Sequence, residues 1–169
     1  PDVPGNDLEG LTFVKNIRRG MELNETLNDV RKAVVLEAGP LGVEMATALA
    51  HRGIETHVVD ENAWLLAQIA DADIAEPVQA SLAELGCDLR FGTGLVGFEG
   101  TGGKLRAVVT SDGEIEADIC VICTHKEPET TLARSMRLTI GSTGALAVDE
   151  RMRTSMEGVY AAGDVVEVP

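Results

Sequence analysis

The sequence predicts an α/β fold of three layers, with a central parallel sheet, helices packed on it and an antiparallel β-meander on one side. Three observations predict it. "VVLEAGPLGVEMA", residues 34–46, runs from β-branched residues through a glycine turn into helix formers. "ETHVVD" at 55–60 follows at the spacing of a right-handed strand–helix–strand crossover. Further on, "GTGG" and "SDG" separate short alternating runs between residues 95 and 118.

Taken in order, "PDVPGNDLEG" holds two prolines and two glycines and is expected to loop as a linker. Partial apolar periodicity predicts a helix over 21–30. "KAVVLEA" predicts a strand, and "LGVEMATALAHRG" a helix stopped at Gly53. A second helix is expected over 73–85, closed by Gly86, with Pro77 tolerated in its first turn, and a strand follows at 88–91. The meander leads to a buried strand at "DICVIC". Past Thr124 the polar "HKEPET" marks a boundary, beyond which "ALAVD" (145–149) and "GVYAA" (158–162) predict two short strands around "RMRTSMEG".

Composition narrows the function classes. A length of 169 residues, 44% of them hydrophobic, suffices for one domain with a substantial core or one domain with pieces of another. The net charge of −14 opposes binding to nucleic acid and to anionic membrane surfaces. No apolar run is long enough to cross a membrane, and the N-terminus lacks the pattern of a signal peptide. With three cysteines, an odd number, no disulfide framework is indicated, and a cytoplasmic location is the expectation.

The chemistry concentrates at the first turn. Gly39, Pro40, Leu41 and Gly42 place two glycines three apart before a helix, as in the second half of G-x-G-x-x-G in a Rossmann-type fold. Free N–H groups and the helix dipole there suit a pyrophosphate. Asp60, at the end of the second strand, is positioned for an adenosine ribose, and with Glu61 it favours NAD over NADP. Glu37, however, occupies the place of the first glycine. A carboxylate about 4 Å from a phosphate costs roughly 1–4 kcal/mol at effective dielectrics of 80 to 20. Either the site is weakened, or Glu37 turns to solvent and is tolerated.

"VVLEAGPLGVEMATALAHRGIETHVVD", "EADICVICT" and "VDERMRTSMEGVYAAGDVVEV" together resemble the pyridine-nucleotide-disulfide oxidoreductases, flavoproteins that use FAD and NAD, and among them the NADH oxidase and CoA-disulfide reductase type. The resemblance implies an NAD(H)-binding domain over 30–125, a linker on the FAD-domain side over 1–29, and a return toward the FAD domain over 126–169. It implies that Gly163 and Asp164, in "AAGDV", contact FAD, and that Glu44 lies near the nicotinamide and flavin, although a solvent-facing helix position explains Glu44 equally. It implies passage of hydride from NADH through FAD to a disulfide, persulfide, oxygen or redox-protein acceptor. The FAD-binding first strand, a redox cysteine and the dimerisation domain would be partners outside this chain, which alone is expected to be inactive.

His125, in "CTHKEP", replaces a glycine of the family pattern and would block the nicotinamide nucleotide or contact it. These two departures keep open a degenerate regulatory or interaction module that binds no nucleotide. Cys120 and Cys123 form C-x-x-C, but on a strand residues three apart face opposite sides about 10 Å apart, so buried thiols are expected and no metal site. Cys87 is expected to pack or to enter a strand partly exposed, His51 to end a helix and His57 to lie on a strand, while Trp64 and Phe91 are isolated aromatics that make no base-stacking platform.

Overall fold

A computed structural model describes residues 1–124 and 127–168 of the chain. They fall into two compact units, Pro1–Thr124 and His125–Pro169.

The first unit contains β1 (Leu11–Thr12), α1 (Ile17–Thr26), β2 (Lys32–Leu36), α2 (Pro40–His51), β3 (Glu55–Asp60), α3 (Ala72–Glu84), β4 (Asp88–Phe91), β5 (Leu95–Thr101), β6 (Lys104–Thr110), β7 (Gly113–Glu116) and β8 (Ile119–Ile122). Five strands form a parallel sheet in the order β1-β8-β2-β3-β4, and β5-β6-β7 form an antiparallel meander. The α/β expectation is met, with parallel sheet and meander both present.

Strand alternation explains the layers, because successive side chains point to opposite faces. Ala33, Val35, Val58 and Val121 pack with Ala46 and Leu49 of α2 and Leu82 of α3. Val34, Leu36, Val59 and Cys120 pack instead with Phe98, Val108 and Ile115 of the meander. A sheet buried on both faces accounts for the unbroken apolar run of β2. It also puts Cys120 and Cys123 in different cores, on opposite faces as expected. All three cysteines are buried free thiols. Burial pushes the Cys123 thiol up to about 12, with the Glu37 charge adding to it. Among the described residues no group of three or more His, Cys, Asp or Glu could hold a metal ion. Among the described residues no helix is long and apolar enough to cross a membrane.

The opening segment loops and is stitched along the meander. Phe98 N–H donates to Pro4 O (2.9 Å), Glu9 N–H to Gly103 O (2.9 Å) and Leu105 N–H to Glu9 O (2.8 Å). His57, on β3, lies between Asp88 (2.8 Å) and Glu55 (3.1 Å).

Two helix expectations need correction. The helix expected over 21–30 starts earlier, as α1, because the Asn16 side chain accepts from Arg19 N–H (3.0 Å) and caps it; a 3-10 turn, Leu27–Asp29, follows. Pro77 lies inside α3, past its first turn. It is exposed there, as is Asp73, whose carbonyl loses the donor.

The second unit holds α4 (Thr131–Ser135), β9 (Leu146–Ala147) and β10 (Val166–Glu167), with β9 and β10 paired in parallel. Ala133, Leu138 and Leu146 form its small core. The strand expected over 145–149 shrinks to two residues. That expected over 158–162 is replaced by a single bridge between Tyr160 and Arg153, while the partner of β9 lies further on. The pairing of β9 goes to β10 instead, through Leu146 N–H to Val165 O (2.8 Å) and Val148 N–H to Glu167 O (3.1 Å), and the Glu167 carboxylate beside it accepts from Ser142 and Thr143 through both backbone and hydroxyl donors.

Candidate functional site

At the C-terminal end of β2 the chain turns sharply into α2. Glu37 has φ of +74°, a conformation that suits glycine and is uncommon for other residues. The turn is held from β3 and the loop after it. Glu37 N–H donates to Val59 O (2.8 Å) and Leu66 N–H to Ala38 O (2.9 Å). Ala38 N–H donates to Asp60 Oδ2 (2.7 Å).

Gly42 leaves no room for a side chain, since a Cβ there would lie 1.9 Å from Glu37 O. The first turn of α2 can therefore settle directly on the bend. Gly39 is the N-cap of α2 and Pro40 opens the helix. The N–H groups of Leu41 and Gly42 have no acceptor among the described residues. This is a backbone cradle suited to an anion. One charge opposes it: Glu37 Oε1 lies 3.2 Å from the point a Gly39 Cβ would occupy. The half-buried carboxylate has no hydrogen-bond donor among the described residues.

Asp60 is 6% exposed and already engaged. Beyond Ala38, its Oδ1 accepts from the backbone N–H and the Nδ2 of Asn62, both at 2.8 Å. A carboxylate offers about four acceptor positions, so three are taken within the chain. Asp60 thereby positions the turn, a role that its place in the sequence did not announce. The D-x-N spacing of Asp60 and Asn62 was the available signal. Glu61 is exposed, with Oε1 3.5 Å from the Cβ position of Gly94. Glu44 stands on the exposed face of α2, away from buried Gly42 and Ala46. Cys123, buried in the core and close enough for its thiol to feel the Glu37 charge, is a neighbour of the turn that sequence reasoning assigned to the core alone.

Gly163 and Asp164 belong to the second unit. Gly163, with φ of +88°, makes a turn closed by Val166 N–H to Gly163 O (3.1 Å), and Asp164 is exposed. His125 lies outside the described residues.

The pyridine nucleotide-disulphide oxidoreductase family model matches residues 1–169. The chain belongs to that family. Among similar family members, the CoA-dependent NAD(P)H sulfur oxidoreductase of Pyrococcus furiosus is 32% identical over 169 residues, covering 99% of this chain and 38% of that protein. The chain thus spans well under half the length of the relative it matches. Solved structures share its fold, two of them at 32% identity. A NAD-dependent persulfide reductase from A. fulgidus has a TM-score of 0.91 and 32% identity, with 98% of this chain and 31% of that one covered. A FAD-dependent pyridine nucleotide-disulphide oxidoreductase from Desulfovibrio vulgaris has a TM-score of 0.88 and 32% identity, covering 100% and 43%.

Proposed function

We propose that this chain is the NAD(H)-binding part of a flavoprotein oxidoreductase. The observation that carries the proposal is the turn itself: a bend in the left-handed region at Glu37, a Gly42 with no space for a Cβ, and unpaired N–H groups at Leu41 and Gly42 before a helix of 12 residues. In this reading residues 30–125 form the nucleotide domain, while 1–29 and 126–169 lie toward an FAD domain. Gly39, Pro40, Leu41 and Gly42 cradle the pyrophosphate. Asp60 offers its remaining acceptor position to the adenosine ribose, and with Glu61 disfavours a 2′-phosphate by charge. Glu44 lies toward the nicotinamide and flavin, and Gly163 and Asp164 toward FAD.

NAD(H) and FAD, when bound, supply the hydride chemistry. The residues of this chain bind, orient and set the local charge. The names of the relatives, which include a sulfur oxidoreductase and a persulfide reductase, support a sulfur acceptor, with oxygen and redox proteins as alternatives. An FAD domain and a dimerisation domain are proposed as partners, and the chain by itself is proposed to be inactive. Three buried free thiols support a cytoplasmic location.

One observation favours a second reading, a module that has lost its nucleotide: the Glu37 carboxylate beside Gly39. Calorimetric titration with NADH, NADPH and ADP-ribose decides between them. Saturable NADH binding, tighter than NADPH, supports the nucleotide domain. No heat with any of the three, in wild type and in Glu37→Gly alike, overturns it in favour of the module.

A further inference from the structure

At the opposite end of the parallel sheet from the nucleotide turn lies an open cavity of about 420 Å³, whose polar lining is Arg31, Lys32, Thr101, Lys104, Arg106, Glu116 and Asp118. β2 separates the two places, since it begins at Lys32 and ends at Leu36 below the turn, a span of about 13 Å along an extended strand. Four of the fourteen Lys and Arg residues of a chain with net charge −14 converge here, against two carboxylates in the lining.

The cations differ in how far they are already satisfied. Lys32 pairs with Glu116 at 2.8 Å, which raises the lysine pKa and lowers that of the carboxyl. Arg106 is held between Glu99 and Glu114. Among the described residues Lys104 has only Glu9, at 3.9 Å, with both side chains largely exposed. The Arg31 guanidinium and the Thr101 hydroxyl have no hydrogen-bond partner among the described residues.

The backbone beneath Arg31 is nevertheless fixed. Asp118 Oδ2 accepts from Arg31 N–H (2.7 Å) and Lys32 N–H (2.9 Å). Across the cavity, Thr101 and Lys104 flank the two-residue hairpin turn of Gly102 and Gly103, whose φ values of +61° and +82° suit a tight hairpin. Two rigid supports therefore present an uncommitted guanidinium, a nearly uncommitted ammonium and a hydroxyl toward one space. Arg and Lys offer donors only, and guanidinium matches phosphate oxygens in paired geometry.

We propose that this cavity is a second anion site that takes the phosphoryl group of a small phosphorylated molecule, distinct from the nucleotide turn and independent of its assignment. Arg31 and Lys104 supply the charge, and Thr101 a neutral donor. Glu9 competes for Lys104, while Glu99, Glu114 and Glu116 already hold the neighbouring Arg106 and Lys32; the field of the whole chain also opposes anions, so binding is weak and sensitive to salt.

The test follows backbone amide NMR shifts while inorganic pyrophosphate, and separately AMP, is added at constant ionic strength to the 169-residue chain. Saturable shifts at Arg31, Lys32, Thr101 and Lys104 are expected, with affinity falling about tenfold or more in Arg31→Ala/Lys104→Ala. Lys15→Ala/Arg18→Ala, away from the cavity, should leave them unchanged. Both cavity substitutions truncate exposed side chains and leave the Asp118 bonds to backbone in place, so the fold is retained. Equal response to the two probes identifies a free phosphoryl anion as sufficient, and tighter AMP binding a nucleotide-borne phosphate. Shifts that grow linearly, that persist undiminished in the cavity double variant, or that appear only at residues 39–43 overturn the proposal.

Discussion

Replacing Glu37 by Gly and by Gln separates two penalties that one residue imposes on the turn into α2. The first is backbone. At φ of +74° a side chain costs about 1–2 kcal/mol, of which the greater freedom of unfolded glycine takes back about 0.5–1. Glu37→Gly should thus stabilise the first unit by about 0.5–1 kcal/mol and raise its melting temperature by about 1–4 °C. Trp64, the only tryptophan, reports this transition by fluorescence. The second penalty is charge. With Oε1 3.2 Å from the Cβ position of Gly39, a phosphate resting on that glycine lies about 4 Å from the carboxylate, and the repulsion is roughly 1–4 kcal/mol. Removing it should tighten NADH binding roughly five- to a thousandfold by calorimetry. Glu37→Gln keeps the side chain and the strained backbone, so it should gain affinity without gaining stability. Equal NADH affinity in wild type and both variants, together with an unchanged melting temperature in Glu37→Gly, would refute both parts of the reasoning.

Gly42→Ala should destabilise the first unit by roughly 3 kcal/mol in urea unfolding, since its Cβ meets the Glu37 carbonyl at 1.9 Å; a cost near zero means that the turn gives way easily. Asp60→Asn leaves one acceptor oxygen for donors on both sides of the carboxylate and should cost about 1–3 kcal/mol; full stability would show that the clasp on Ala38 is dispensable. Burial raises the thiol pKa of Cys87, Cys120 and Cys123, so a thiol reagent at about pH 8 should label none of them in the native protein and all of them in denaturant. The hydroxyl and N–H of Thr143, then Ser142, hold Glu167 at about 2, below the usual 4.5. A depressed carboxyl stabilises above its unfolded value and loses that contribution as pH falls through its folded value, so the amide shifts of Ser142 and Thr143 should titrate with a midpoint at about 2; a midpoint at about 4.5 sinks the assignment.

The strand–turn–helix–strand around Gly39 was legible because two simple periods meet there: an apolar run that must be buried on both faces and a helix whose small residues face the sheet. The meander and the opposite facing of Cys120 and Cys123 follow from alternation alone. The start of α1 was misplaced because a single side chain, Asn16, fixes it, and a cap is a weak signal beside an irregular apolar pattern. The two short strands of the second unit were blurred for a related reason, since β9 pairs with a segment twenty residues on, at Val166–Glu167, which local patterning does not announce. The double duty of Asp60 was hidden because it needs Ala38 and Asn62 in the same place, which only the completed crossover provides.

Glu37 joins these strands of argument. A first glycine is usually explained by the bend it permits, and its loss should then remove the bend. Here the bend persists, because Val59 O and Asp60 Oδ2 accept from the N–H groups of Glu37 and Ala38, and Leu66 donates to the Ala38 carbonyl. Three hydrogen bonds of about 1 kcal/mol each are enough to hold a strain of about 1–2 kcal/mol. The backbone requirement of the site is thus met without its glycine, and what remains of the substitution is a negative charge at the mouth of an anion cradle. Conformation and charge, normally altered together by such a replacement, are here separable. Binding in Glu37→Gln therefore bears on function, and stability in Glu37→Gly bears only on the fold.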